Sequence, residues 1–296
     1  MRIITRPDFD GIVCSALLME AESIQEPILW VQPSEVQQGL IRVKSGDIVA
    51  NLPHIPGCRL WFDHHVTNRI DTPFRGVFRV APSAARLIYE YYRERFKGKY
   101  EELLRQTDKI DSADLTPDEI RHPENYPYLL LSMTISGRDG EDEAYWDQLV
   151  ARITTEDIGR LMQDEQIDSR CRQVIRQNRA YTQLVTEHTR LIDAVAVTDF
   201  RSLSPAPEGN RFLVYSLFPG SRVQVKIRYA DEHRQRIIIS VGHSILNRTC
   251  RVNAGRLLAQ FGGGGHAGAG SCNIPAYKAE NHLPRIIEIL KANQPN

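Results

Sequence analysis

The stretch Trp61–Val66 reads WFDHHV, a short apolar run that ends in Asp63, His64 and His65. A carboxylate beside two imidazoles is a donor set for Mn, Fe, Co or Zn. The same three residues also suit a polar loop with two solvated histidines. A second acid pair lies upstream: RPDFDG places Asp8 and Asp10 directly after the apolar run RIIT. At i,i+2 spacing two carboxylates leave a strand end on one side and can converge on a hard divalent cation such as Mn2+ or Mg2+. Either acid equally suits the cap of a helix starting near Gly11. Two strand ends that both carry ligand-type side chains favour the metal reading.

Two more groups bear on chemistry. TDKIDSADL supplies Asp108, Asp111 and Asp114 after a helix. Its ordinary reading is a solvated acidic loop, from which one acid reaches the metal. FGGGGHAGAGSC carries Gly262 to Gly265 and then His266. Glycine weakens helix and strand alike, so such a run implies positive φ or a close backbone approach. Free amides and an imidazole there would cradle a phosphate or carboxylate. A flexible hinge is the alternative, but a hinge needs neither His266 nor the GAGS that follows.

The elements that must position these groups read as α/β. RIIT, PILWVQP, DIVANLP and RLWFDHH are strand-like. GIVCSALLMEAESI and PSAARLIYEYYRERF have helical spacing, the latter capped by Ser83. A β–α–β rhythm argues for a parallel sheet covered by helices, whose ligands collect at the carboxyl ends of strands. Residues 97–192 read as helical and polar, ending in a long connecting helix. From about residue 194, AVAVTDF, RFLVYSL, VQVKIRYA and RIIIS read as successive strands, followed by the helices NAGRLLAQ and YKAENHLPRIIEILKAN. The expected domains are 1–190 and a smaller α/β domain, 194–296.

Composition narrows the partners. With 296 residues, 42% of them apolar, the chain can bury a sizeable core; Lys+Arg and Asp+Glu balance at 37 each. Zero net charge argues against long nucleic acid along the surface, which needs many phosphate-neutralising cations. Cys14, Cys58, Cys171, Cys250 and Cys272 are scattered, with no CxxC pair, and read as reduced thiols. The N-terminus does not read as a signal peptide, and no apolar run approaches the ~18 residues of a membrane span. The expectation is a cytoplasmic protein with no membrane partner; a homodimer is possible.

Taken together, RPDFDG, FDHH, the acidic loop and GGGGHAGAGS resemble the motifs of the DHH/DHHA1 phosphoesterase superfamily. The resemblance spans nearly the whole chain, and the pattern is nearest to the nanoRNase/pAp-phosphatase type and to exopolyphosphatase-related proteins. It implies a larger parallel-sheet DHH domain with flanking helices and a smaller DHHA1 domain, with the active site in the cleft between them. It implies metal ions, usually two Mn2+, that activate a water against phosphorus, while the glycine-rich loop grips the substrate. Carried over, the metal ligands are Asp8, Asp10, Asp63, His64 and Asp111, with Asp108 as the fallback for Asp111. Asp8, Asp63 and His65 take the catalytic positions, with Asp8 or His65 orienting or deprotonating the water. His65, Arg248, Gly263, Gly264, Gly265 and His266 take the substrate positions, with Arg251 as another cation.

The sequence departs from the superfamily pattern in three places. Ile4 stands where a metal-binding histidine is usual, and Asn51 where a bridging aspartate is usual. His243 stands where an arginine is usual, with Arg248 nearby. These changes predict one firm metal site, with Asn51 as an added ligand, and a second that is weak or empty; His54 is a candidate replacement. The expected activity is metal-dependent hydrolysis of a small phosphorylated substrate, a short oligonucleotide or a nucleoside phosphate such as pAp. The alternatives are a catalytically degenerate nucleotide-binding module and an exopolyphosphatase, the latter needing Arg234, Arg236, Arg248, Arg251 and Arg256 to line a basic channel.

Overall fold

RIIT forms β1 (Ile3–Thr5), whose three residues are all buried. In the computed structural model, which describes residues 1–136 and 142–296, β1 is an interior strand, second from the edge, of a five-stranded sheet. Its partners are β2 (Leu29–Trp30), β3 (Ile48–Ala50), β4 (Leu60–Asp63) and β5 (Gly76–Phe78), in the order β2-β1-β3-β4-β5. All four pairings are parallel. Strands buried on both faces read as unbroken apolar runs, which is why IIT, IVA and LWF do not alternate. The order reverses between β1 and β3, and the carboxyl ends at such a switch point form the natural crevice of a doubly wound sheet.

On one face α1 (Phe9–Ala21) packs against later helices. After α2 (Pro33–Gln37), these are α3 (Ala84–Tyr91), α5 (Glu101–Asp111) and α8 (Glu143–Arg152); α4 (Arg93–Phe96) lies between α3 and α5 in the chain. The expected single helix after Ser83 is interrupted at Tyr92. On the opposite face Ile4, Val31, Val49, Leu52 and Trp61 form an apolar cluster in which Trp61 stacks on Phe78 at 5.2 Å.

The chain divides into two compact units. The first comprises residues 1–114 and 124–174; the second comprises 115–123 and 175–296. The segment 115–123, which carries α6 (Pro117–Arg121), thus belongs with the second unit. The first unit continues through α7 (Pro127–Met133), α8 (Glu143–Arg152) and α9 (Ile158–Leu161) into α10 (Glu165–His188), and the division falls inside α10.

The second unit is a six-stranded sheet in the order β10-β11-β9-β8-β7-β6. Its elements are β6 (Thr189–Ile192), β7 (Val195–Asp199), α11 (Leu213–Leu217), β8 (Val223–Tyr229), β9 (Arg236–His243), α12 (Ala254–Ala259), β10 (Gly264–His266), β11 (Ala269–Pro275) and α13 (Ala279–Ala292). Val223, Val225 and Ile227 alternate onto one face with Ile237, Ile239 and Val241, and meet Leu257, Leu258, Leu283, Ile286 and Leu290 from α12 and α13. One sequence expectation fails: RFLVYSL is the helix α11, not a strand. A five-residue apolar run fits either element. Here Leu213, Val214 and Tyr215 pack as a helical turn with Ile120, Tyr181, Val185 and Phe200. Among the described residues no helix is long and apolar enough to cross a membrane.

Candidate metal centre

Three adjacent strand ends build the site. β1 runs out into Arg6, Pro7 and Asp8, β3 into Asn51, and β4 into His64 and His65, with Thr5, Ala50 and Phe62 level with one another across the sheet. Asp10 lies in the first turn of α1 and is 1% exposed. Its two oxygens accept 2.9 Å hydrogen bonds from the amides of Ala84 and Ala85, the first residues of α3. A helix N-terminus is a favourable place for a carboxylate. Burial nevertheless raises the Asp10 pKa, against the pull of His64.

His64 stands beside it. Nδ1 lies 2.9 Å from the carbonyl of Ala81. A carbonyl only accepts, so Nδ1 carries a hydrogen and the lone pair of the neutral ring is on Nε2. Nε2 is buried without a hydrogen-bond partner. It lies 3.2 Å from Asp111 Oδ2 and 3.9 Å from Asp10 Oδ2. Asp111 is the last residue of α5, where the helix dipole disfavours an acid. Burial raises its pKa well above the ordinary value, and the charges of Asp10 and Asp8 raise it further. Donor atoms of Asp10, His64 and Asp111 lie within 4.8 Å of one another. Ligands about 2.0–2.2 Å from one ion are separated by up to roughly 4.4 Å. Two crowded carboxylates, a lone pair without a donor, and Asn51 Oδ1, also buried and unpartnered, fit a divalent cation.

The other expected ligands are engaged differently. Asp8 is the N-cap of α1, accepting from Gly11 N at 2.9 Å. The same Oδ1 accepts from Asn51 Nδ2 at 2.9 Å, and Oδ2 pairs with Arg6 Nε at 2.8 Å. The cap reading of this acid is therefore present, and Asp8 is not among the clustered donors. Asp63 is fully buried. Its Oδ1 takes hydrogen bonds from His64 N and from His65 Nδ1, at 2.9 and 2.8 Å, and its Oδ2 takes one from Asn68 Nδ2 at 2.7 Å. Asp63 thus holds the loop and orients the His65 ring. Burial lowers the His65 pKa, but the hydrogen bond and charge of Asp63 outweigh it, and the net shift is upward.

Asp108, the fallback, is bound to Arg86 at 2.6 Å and to Ser83 Oγ at 2.6 Å, and serves the start of α3. His54 packs edge-on against Trp61 at 5.1 Å and is not among the clustered donors.

In the second unit, the glycine run is partly a strand, contrary to the expectation that strand geometry does not explain it: β10 pairs with β11 in a tight hairpin. Gly265 has φ +146°, and a Cβ there would lie 2.3 Å from the Ala269 carbonyl. At Gly263 a Cβ would lie 2.1 Å from the Ser271 carbonyl. Gly264 differs, since a Cβ there meets nothing within 4 Å. Packing explains its neighbours but not Gly264. His266 is exposed, with Nδ1 accepting from Gly268 N at 3.2 Å. Arg248 is exposed and donates to the Ile245 carbonyl. His243 donates to the carbonyl of Val252 at 2.8 Å and closes that turn.

Sequence reasoning missed Arg6 and Ala81. The arginine is visible in RPDFDG, but its pairing with Asp8 depends on the loop: a Cβ at Gly11 would lie 1.9 Å from the Arg6 carbonyl, so only glycine lets the loop close there. Ala81 acts through its backbone and leaves no signature.

No family model matches the chain, and no curated protein matches its sequence. Solved structures do match. A pGpG-specific phosphodiesterase, PggH from Vibrio cholerae, superposes with a TM-score of 0.88 at 29% identity, covering 99% of both chains. A protein described as a DHH domain matches with a TM-score of 0.58 at 15% identity, over 98% of this chain and 87% of that one. RecJ from Thermus thermophilus in complex with Mn2+ matches with a TM-score of 0.55 at 13% identity; the chain covers 52% of its length. The last two likenesses are of fold.

Proposed function

We propose that the chain is a member of the DHH/DHHA1 phosphoesterase superfamily and, on that premise, a divalent-metal-dependent phosphodiesterase of very short oligonucleotides, dinucleotides such as pGpG above all. The observation that carries the reading is the buried, unpartnered Nε2 of His64, between Asp10 and Asp111. A two-residue substrate also suits a chain without excess positive charge.

Asp10, His64 and Asp111 would hold one Mn2+ or Mg2+, with Asn51 Oδ1 as a fourth donor. A bound cation supplies Lewis acidity, lowering the pKa of water and polarising a phosphoryl oxygen. The protein's own groups do the rest. Hydrolysis joins the water oxygen to phosphorus and breaks the ester P–O bond, and the departing oxygen takes up a proton. His65 suits that transfer, because the Asp63 contact engages its Nδ1 and so fixes the ring, leaving Nε2 as the nitrogen not used in that contact. The Ala84 and Ala85 amides keep Asp10 from swinging out of place. His266 and the amide of Gly264 are proposed to contact a phosphate of the substrate.

The test is hydrolysis of pGpG, pAp and polyphosphate with Mn2+ and then with EDTA, alongside Asp111→Asn. Mn2+-dependent cleavage of pGpG that EDTA and the substitution abolish supports the reading. Cleavage of polyphosphate alone would move it to an exopolyphosphatase. A second reading, a binding module without turnover, draws on the Asn51 amide that faces Asp8; nucleotide binding with no cleavage of any substrate would establish it.

A further inference from the structure

The superfamily resemblance implies two cations, yet among the described residues only one donor set stands ready: Asp63, His64 and His65 also cluster within 4.8 Å, but they share His64 with the first set, and Asp63 Oδ1 and His65 Nδ1 are spent on each other at 2.8 Å. Ile4 offers no donor. Its side chain is fully buried in the cluster of Val31, Val49, Leu52 and Trp61, so the histidine position is filled by core. Asn51 is 1% exposed and sits at φ 56°, one residue past the end of β3. Its Nδ2 points hydrogens at Asp8 Oδ1. A bridging aspartate would present lone pairs there, whereas an N–H group repels a cation. Asp63, another acid of the expected set, accepts on both oxygens from His64, His65 and Asn68.

Positive charge is nonetheless supplied at that place. The Arg6 guanidinium pairs with Asp8 Oδ2 at 2.8 Å and is 39% exposed, so its remaining donors are open to a ligand. The backbone fixes it: Asp8 N bonds the Arg6 carbonyl at 3.0 Å, over Gly11. A guanidinium presents a planar fork of donors that matches two oxygens of a phosphoryl group, and it needs no metal ligands to hold it.

We propose that Arg6, with the Asn51 amide, replaces the second divalent cation: the centre is a one-metal site in which the Arg6 guanidinium neutralises Asp8 and binds a phosphoryl oxygen of the scissile phosphodiester. The proposal rests on the metal-centre reading above. It assigns Asn51 a definite part, one end of its amide toward the cation and the other toward Asp8. It also accounts for two departures from the superfamily pattern, Ile4 and Asn51, as one coordinated change.

The test is Mn2+ stoichiometry on the full chain, by equilibrium dialysis and electron paramagnetic resonance. The wild type binds one Mn2+ per chain, with the six-line spectrum of an isolated ion. Arg6→Ala combined with Asn51→Asp binds a second, and the spectrum broadens by coupling between neighbouring ions. Arg6→Gln keeps one Mn2+ but lowers kcat about 100-fold, as loss of one charge-stabilising donor does. Guanidinium ion restores part of the turnover of Arg6→Ala. Two coupled Mn2+ ions in the wild type would overturn the proposal while leaving the phosphodiesterase reading intact. Wild-type kcat in Arg6→Gln would overturn it as well. No bound Mn2+ in the wild type would sink the metal centre itself, a different result from two.

Discussion

Asp111→Asn separates what the site does for stability from what it does for function. In the metal-free protein Asp111 is a liability. It closes α5 at the negative end of the helix dipole and faces the charges of Asp10 and Asp8. Removing its charge should stabilise the metal-free fold by about 0.3–1 kcal/mol from the dipole alone. The Asp10 and Asp111 pKa values are both raised in the fold, so the folded state holds protons that the unfolded chain has released. Stability of the metal-free wild type therefore rises as pH falls, in a window above the ordinary aspartate value of 3.8. Metal reverses the picture. At free Mn2+ about 100 times its Kd, binding contributes about 2.7 kcal/mol, which is about 5–11 °C in Tm for a unit of this size. The assay is thermal unfolding at pH 7.5 and pH 5.5, with EDTA and with Mn2+, for wild type and variant. The expected variant melts slightly above wild type in EDTA, shows a weaker pH dependence, and loses most of the Mn2+ shift. An Asp111→Asn protein that retains the full Mn2+ shift would refute the assignment of this acid as a ligand. A variant less stable than wild type in EDTA would refute the account of its cost.

Other substitutions probe the remaining parts. His64→Ala should lose both Mn2+ binding and turnover, whereas His65→Ala should bind Mn2+ normally and lose about 100-fold in kcat, seen by dialysis beside kinetics. Gly264→Ala and Gly265→Ala form a contrasting pair. The first has open space for its methyl, so Tm should stay within about 1 °C while KM for pGpG rises; the second must fit a Cβ 2.3 Å from the Ala269 carbonyl and should lower Tm by several degrees. Arg86→Ala frees Asp108 and leaves Ser83 as the only partner described for it; it should lower Tm by about 2–6 °C without changing Mn2+ stoichiometry, checked by the same melts and dialysis.

The donor types were legible in one dimension. Asp8 and Asp10 after RIIT, and FDHH after RLW, mark strand ends because short apolar runs that stop at polar ligand-type residues have few other uses. The parallel α/β architecture was legible for the same reason, since unbroken apolar strands separated by helical periods pair in only a few ways. RFLVYSL was not legible: strand or helix was decided by Ile120, Tyr181 and Phe200, which lie far away in sequence.

The sequence by itself determined which side chains could ligate a cation and that Ile4 and Asn51 would not serve the usual way. Only the tertiary structure separates Asp111, which meets His64, from Asp108, which meets Arg86, because that depends on which face of α5 each residue lies on. It also decided that Asp63 orients His65 and that Arg6 meets Asp8. Hydrogen bonds and ion pairs act over about 3 Å, and distances that short between residues dozens of positions apart exist only once the sheet has brought its strand ends together.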